Sequence, residues 1–227
     1  MTIRICVSVL PETLAEALKL VEKAENHRAD LIEVRLDNFR EHDELSDIAS
    51  CSKMPLIATS HSIKCHGKFR GSETERKQIL LKAAGNGFEY VDIELSASEL
   101  ENIVNDAHEM GVKCIVSFHD FNQTPSLPQM KEVLRKEIAS GADVCKIVTT
   151  AKSVEDNLTV LNFVSEACKN AKTVCFSMGE LGKISRLLSP FFGGFFTFAS
   201  LEKGGETASG QLTIQEMRVA YEALGLV

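Results

Sequence analysis

Ala29-Asp-Leu-Ile-Glu-Val-Arg35, Phe88-Glu-Tyr-Val-Asp-Ile-Glu94 and Ala142-Asp-Val-Cys-Lys-Ile-Val148 are variants of one pattern, a short apolar run broken by a charged residue. Aligned on their apolar cores, Glu33, Asp92 and Lys146 fall at one position. Side chains of a strand alternate between its two faces, so the charged residue faces away from its immediate apolar neighbours. In a closed barrel, alternate strands fill the same interior layer. The repeat therefore predicts that Glu33, Asp92 and Lys146 point inward at similar height, with Arg35 and Glu94 one layer nearer the C-terminal mouth.

Outward from these runs, β-branched segments alternate with longer amphipathic ones, as in βαβ units around a parallel sheet. The strand candidates are Ile3 to Val9, Leu31 to Leu36, Leu56 to Ser60, Tyr90 to Leu95, Lys113 to Phe118, Val144 to Val148, Thr173 to Ser177 and Gly194 to Ala199. Helix candidates lie near 12 to 26, 43 to 50, 73 to 85, 97 to 110, 128 to 140, 153 to 169, 180 to 189 and 213 to 224. Glu12 and Thr13 after Pro11 suit a helix start, and Gly111 and Gly141 suit helix ends. Eight units without a linker, and no GxGxxG after the first strand, favour an α/β fold of the (β/α)8 TIM-barrel type over a Rossmann sheet. One domain over residues 1–227 is expected.

A chain of 227 residues with 44% hydrophobic content can bury one substantial core. Its net charge of -7 is spread among interspersed residues, so no basic stripe exists to follow a nucleic-acid backbone. The N-terminal MTIRICVSVLPET falls well short of the ~20 apolar residues of a membrane span, so no membrane partner is expected. Seven cysteines make an odd number with no CxxC pair and no histidine spacing suited to zinc. A cytoplasmic protein without a metal site is the expectation. Cys6, Cys114, Cys145 and Cys175 lie in apolar runs and read as small buried hydrophobes.

Polar residues recur at the ends of the odd runs: Ser8, Thr59, Ser117 and Ser177, with His61 and His119 two residues beyond the second and third. Barrel enzymes gather their active sites at that end. An inward Lys146 is either a nucleophile or a member of an ion pair with Glu33 and Asp92; burial lowers its basicity and the carboxylates raise it. His119 in Ser117-Phe-His-Asp-Phe121 suits proton transfer one strand away, or is a turn histidine bonded to Asp120. Arg186, leading from the seventh strand into a helix, either holds an anion or faces solvent. His27, His42, His66 and His108 read as surface residues, and the charged runs at Glu22 and over Glu73 to Lys77 as solvated helix faces.

Together these motifs resemble the type I 3-dehydroquinate dehydratases. The resemblance runs through Cys6-Val-Ser8, Glu33-Val-Arg35-Leu-Asp37, Pro55-Leu-Ile-Ala-Thr59, Tyr90-Val-Asp-Ile-Glu94, Ser117-Phe-His119, Phe176-Ser-Met-Gly-Glu-Leu-Gly-Lys-Ile-Ser-Arg186 and Thr207-Ala-Ser-Gly-Gln211. It implies a barrel enzyme without a cofactor. Lys146 would form an imine with 3-dehydroquinate and His119 would act as general acid and base. Glu33 and Arg35 would order the ring's polar groups, Arg186 and Gln211 would hold its carboxylate, and Ser8 and Thr207 would contact hydroxyls. A homodimer is implied as well. The chain departs after the third strand, where His61 replaces the usual arginine and Cys65 falls near the usual glutamate; Lys64 or Arg70 is a candidate replacement. Thr207 stands where serine is common, and Ser209 where proline is frequent. Two other functions fit the same residues: a class I aldolase or transaldolase-like lyase, for which Gly193-Gly194 and Gly204-Gly205 lack a full phosphate cup, and a non-catalytic barrel binding a small carboxylate.

Overall fold

The computed structural model describes residues 3–226. Its strands are β1 (Ile5–Val9), β2 (Leu31–Arg35), β3 (Leu56–Thr59), β4 (Tyr90–Glu94), β5 (Lys113–His119), β6 (Val144–Thr150), β7 (Thr173–Met178) and β8 (Thr197–Ser200). The helices between and after them are α1 (Leu14–Asn26), α2 (Leu45–Cys51), α3 (Glu73–Gly85), α4 (Leu100–Glu109), α5 (Leu127–Ala139), α6 (Asp156–Ala167), α7 (Lys183–Leu188) and α8 (Ile214–Ala223). Strands pair in parallel in the order β7-β6-β5-β4-β3-β2-β1-β8. At the β7–β8 seam, Phe195 N donates to Thr173 O at 2.8 Å. The chain is a (β/α)8 barrel, as the repeat predicts.

Local chemistry explains why the elements begin and end where they do. Thr13 caps α1 by accepting from Glu16 N. Gly111 and Gly141, with φ of 78° and 89°, follow α4 and α5 in the left-handed region that glycine enters without steric cost. The Ala-Asp pair that opens two of the repeats has a structural use: Asp30 Oδ2 accepts from Ile5 N and Asp143 Oδ2 from Cys114 N, each at 2.8 Å. Each carboxylate satisfies a backbone donor at the start of the preceding strand.

Some boundaries differ from expectation. The helix expected from 153 begins at Asp156, whose carboxylate accepts from Lys152 N and Ser153 N and holds those residues in a capping turn. The helix expected over 180–189 divides into a 3-10 turn at Glu180–Gly182, α7, and a second 3-10 turn at Ser189–Phe192 that contains Pro190. The strand expected from Gly194 starts at Thr197, because Gly194 N bonds back to Ser189 O at 2.9 Å. The helix expected over 43–50 begins as a 3-10 turn at His42–Glu44. No described helix is long and apolar enough to cross a membrane.

Alternation along the strands separates two apolar regions. Cys6, Leu31, Ile57, Tyr90, Ile115, Val144, Val174 and Phe196 belong to one cluster, which fills the barrel. Their immediate neighbours, such as Val7, Ile32, Ala58, Val91 and Val116, pack outward against helices. Cys6, Cys114, Cys145 and Cys175 are buried free thiols, as their apolar settings predict. The charged run Glu73 to Lys77 corrects its reading as a wholly solvated face. Arg76 is only 2% exposed, because α3 turns it beneath the β3–α3 connection. There it donates to Ser60 O at 2.9 Å.

Glu137 on α5 is fully buried, and neither of its carboxylate oxygens has a hydrogen-bond partner among the described residues. Burial, with Asp92 adding to it, pushes this acid well above its ordinary value near 4.5. Its neutral form is thus favoured in the folded state. Such a group's stabilising contribution is complete below pH ~4.5 and is lost as pH rises through the higher folded value. Glu137→Met should therefore be more stable than the parent at pH 8, by about 1–3 kcal/mol, with a smaller gain at pH 5. Urea melts at the two pH values check this; an equal or negative gain at pH 8 refutes it.

Candidate active site

The C-terminal ends of the strands surround a cavity of ≈ 400 Å³ whose wall includes Glu33, Arg35, His61, His119, Lys146, Arg186, Thr207 and Gln211. Parallel strands project alternate residues to this end, so residues far apart in sequence meet there. Of the residues that the resemblance assigns to chemistry or to substrate contact, Ser8 alone is missing from that wall. It donates to Glu33 and accepts from Thr207 Oγ1 at 2.9 Å. Lys64 and Arg70 are exposed and form no part of the wall.

The repeat residues converge as predicted. Lys146 Nζ lies 2.7 Å from Asp92 Oδ2 and 3.5 Å from Glu33 Oε1, and all three side chains are buried. Asp92 also accepts from Ser117 Oγ at 2.6 Å, and Glu33 from Thr59 Oγ1 at 2.9 Å. Nζ lies 4.5 Å from the centre of the Phe198 ring. Burial by itself would weaken the basicity of Lys146, but Asp92 and Glu33 outweigh it and hold the amine above its ordinary value. Burial likewise opposes the charge on Asp92, yet Lys146 brings that carboxyl down to about 2. Of the two readings left open for Lys146, nucleophile and ion-pair member, the geometry shows the ion pair, and the amine also faces the cavity. The resting lysine is an ammonium, and it must give up a proton before it can attack a carbonyl.

His119 stands on the adjacent strand, partly open to the cavity. It has no hydrogen bond with Asp120, whose Oδ1 instead accepts from Asn122 N and Gln123 N. Phe121 stacks on the His119 ring at 5.7 Å between centroids, and His66 stacks on Phe121 at 4.0 Å. His66 is exposed, as expected, yet it also lines the cavity, because the β3–α3 connection carries it over the mouth. Burial, followed by the neighbouring His61 and Lys146, drives His119 well below an ordinary histidine. It is a neutral base at physiological pH.

Arg186 does not face solvent: it is fully buried, with its guanidinium 4.1 Å from the centre of the Phe176 ring. Nη2 donates to Ser209 O at 3.4 Å, while Nε and Nη1 have no partner among the described residues. Desolvation lowers its pKa to about 9, so the cation is held at an energetic cost that an anionic ligand would relieve. Backbone crossing supports this corner. A Cβ at Gly210 would sit 2.2 Å from Gly179 O, so the β8–α8 loop passes over the end of β7 only because residue 210 is glycine. Gln211 and Thr207 bond each other within that loop, through Thr207 N to Gln211 Oε1 at 2.8 Å and Gln211 Nε2 to Thr207 Oγ1 at 3.1 Å.

Three contributors escaped the sequence reading. Asp37 holds Arg35 through two hydrogen bonds of 2.7 and 2.9 Å and accepts from Lys68 N at 2.8 Å, tying β2 to the loop over the mouth. Arg76 reaches Glu94, which holds His61. Phe121 packs against His119. The Arg35-Leu-Asp37 spacing offered a signal for the first; nothing in the local pattern marks the other two.

The assembled site pairs a buried lysine with a neutral imidazole and an uncompensated guanidinium. Such a site suits a small anion that carries a carbonyl group. The sequence profile of the family described as type I 3-dehydroquinase matches residues 5–226. A 3-dehydroquinate dehydratase of Dehalococcoides mccartyi is 37% identical over 220 residues, 97% of this chain and 95% of that protein. The crystal structure of 3-dehydroquinate dehydratase from Geobacillus kaustophilus superposes with a TM-score of 0.92 at 27% identity, covering 99% of this chain and 92% of that one. A type I 3-dehydroquinate dehydratase from Clostridium difficile, with covalent modified comenic acid, gives a TM-score of 0.89 at 27% identity, with 97% and 92% covered. With residues 5–226 matched by the family profile and nearly its whole length aligned to a relative at 37% identity, this chain belongs to the type I 3-dehydroquinase family.

Proposed function

We propose that this chain dehydrates 3-dehydroquinate to 3-dehydroshikimate within the shikimate pathway, through an imine on Lys146. The observation that carries this reading is that the Lys146 amine and the unpaired Arg186 guanidinium open onto one cavity. Arg186, with Gln211, takes the substrate carboxylate and presents the ketone to Nζ. Glu33 and Arg35 orient ring hydroxyls, with Ser8 and Thr207 supporting them from behind and beside the cavity.

Deprotonated Lys146 attacks the ketone carbon, and loss of water leaves an iminium. Its positive charge withdraws electrons from the adjacent carbon and makes the C2 proton removable. Neutral His119 takes that proton, and the C2–H pair becomes the new double bond of an enamine. The same imidazolium then protonates the C1 hydroxyl as it departs as water. Hydrolysis of the conjugated iminium releases the product and restores the lysine. The covalent modified comenic acid of the Clostridium difficile relative accords with such covalent chemistry. Assembly as a cytoplasmic homodimer belongs to the same proposal; a light-scattering mass of one chain would remove the dimer.

The direct test is incubation with 3-dehydroquinate and measurement of the conjugated product by ultraviolet absorbance. Absence of product across a range of pH overturns the reading, and cleavage of sugar phosphates in its place would favour an aldolase. Borohydride should trap substrate on Lys146, as located by peptide mapping. His119→Ala should still be trapped but turn over ~10²–10⁴-fold more slowly, since it lacks only the proton shuttle. Trapping at another residue, or undiminished turnover in that variant, refutes the assigned roles.

Arg186→Gln should raise KM more than it lowers kcat, with a loss in kcat/KM of about 10- to 100-fold for one charge-assisted contact. Steady-state kinetics with 3-dehydroquinate checks this; an unchanged KM would remove Arg186 from the carboxylate site.

A further inference from the structure

His119 is an acid–base candidate with no hydrogen-bond partner among the described residues, so contacts with other rings must set its orientation. Phe121 covers one side. On another, the His61 ring meets His119 edge to face, with centroids 5.1 Å apart and planes at 78°. His61 is itself held from behind. Its Nδ1 lies 3.1 Å from Glu94 Oε1, and Glu94 Oε2 lies 3.2 Å from Arg76 Nη2. Arg76 is anchored by Ser60 O at 2.9 Å and by Glu73 Oε2 at 2.6 Å. His61, Glu94 and Arg76 are 6%, 4% and 2% exposed. A buried row of three side chains from three segments thus runs from α3 to His119 at the edge of the cavity.

We propose that Arg76, Glu94 and His61 are positioning residues for His119, with His61 as the member that bears on the His119 ring. This rests on the reading of His119 as the acid and base. Arg76 and His61 together keep the buried Glu94 ionised: burial opposes its charge, and the two partners bring its carboxyl below the usual range. A fixed carboxylate on Nδ1 settles the proton on that nitrogen and the tilt of the His61 ring. The groups that act on His119 are His61 from the β3–α3 connection, Lys146 from β6, Asp92 from β4 and Arg35 from β2. His61, when it carries a proton, adds to the burial and to Lys146 in keeping His119 neutral, while Asp92 opposes them. The cation is delivered from α3 by way of Glu94, since residue 61 is not an arginine.

The test is the pH dependence of kcat/KM for full-length His61→Asn and His61→Arg with 3-dehydroquinate, alongside borohydride trapping. Asparagine keeps a donor for Glu94 but removes the ring. It should lower kcat by about 10- to 100-fold with KM changed by less than about threefold, as expected for a displaced catalytic group. The His61 ring acts on His119 in the direction that weakens its basicity, so its removal should move the acid limb up by ~1 pH unit. His61→Arg, which places a cation at the same position and so acts on His119 in the same direction, should leave that limb within about 0.3 pH unit of the parent. Arg76→Met should move in the direction of His61→Asn and Arg76→Lys should restore the parent behaviour, which tests the row without altering the cavity wall. Trapping on Lys146 should persist in all four variants.

A rise in KM with kcat and the acid limb unchanged would overturn the proposal and make His61 a substrate contact. Loss of trapping in His61→Asn would overturn it as well, because the defect would then lie at Lys146. Failure of the underlying reading is seen separately, as absent turnover in the parent or full turnover in His119→Ala.

Discussion

The ion pair of Lys146 with Asp92, joined by Glu33, is the constraint around which the barrel interior is organised. Two carboxylates and one ammonium in an apolar barrel are costly to bury unless each is paired and hydrogen-bonded. Ser117, Thr59 and Ser8 supply the remaining bonds. Three of the polar residues that close the apolar runs of the odd strands therefore satisfy charges contributed by the even strands, whereas Ser177 bonds the Thr149 hydroxyl. Removing one partner would leave the others uncompensated, which is more damaging than the absence of the whole group.

The same arrangement sets the chemical character of the site. Lys146 is held as an ammonium by the carboxylates, whereas His119, one strand away, is held neutral by burial and by neighbouring positive charge. A lysine that keeps its proton and a histidine that sheds it already differ in intrinsic basicity, and their environments widen the difference. Arg186 completes the contrast as a cation with no anion of its own. The cavity thus has a net demand for negative charge opposite a carbonyl-reactive amine, and that demand makes a small keto acid the fitting occupant.

The mouth of the barrel is built differently from its interior. Asp37 binds Arg35 and the backbone of Lys68, so the β3–α3 connection is tied to β2. The same connection brings His61 against Glu94 and His66 onto Phe121. At residue 61, where the family resemblance implies an arginine, this chain has a histidine in the wall, and an arginine on α3 stands behind it across Glu94. The positive charge lies one layer further from the cavity, and a carboxylate stands between.

The amino-acid sequence by itself determined the barrel, its strand phasing and the convergence of Glu33, Asp92 and Lys146. All of these follow from alternation with period two and from a repeat that recurs on even strands. It determined His119, Arg186 and Gln211 as cavity residues through motifs in family order. Boundaries around α7 and β8 were less legible, because Pro190 and the Gly194 turn act through hydrogen bonds that periodicity does not record. Only the tertiary structure decided that Arg76 is buried, since a Glu-Thr-Glu-Arg-Lys run carries no sign of the loop that will cover it. It also decided that Ser8 stands behind the wall, and that Lys64 and Arg70 remain outside. The difference is physical: strand phase is a local property of the chain, whereas the cover over a helix and the reach of a loop depend on which distant segments pack against them.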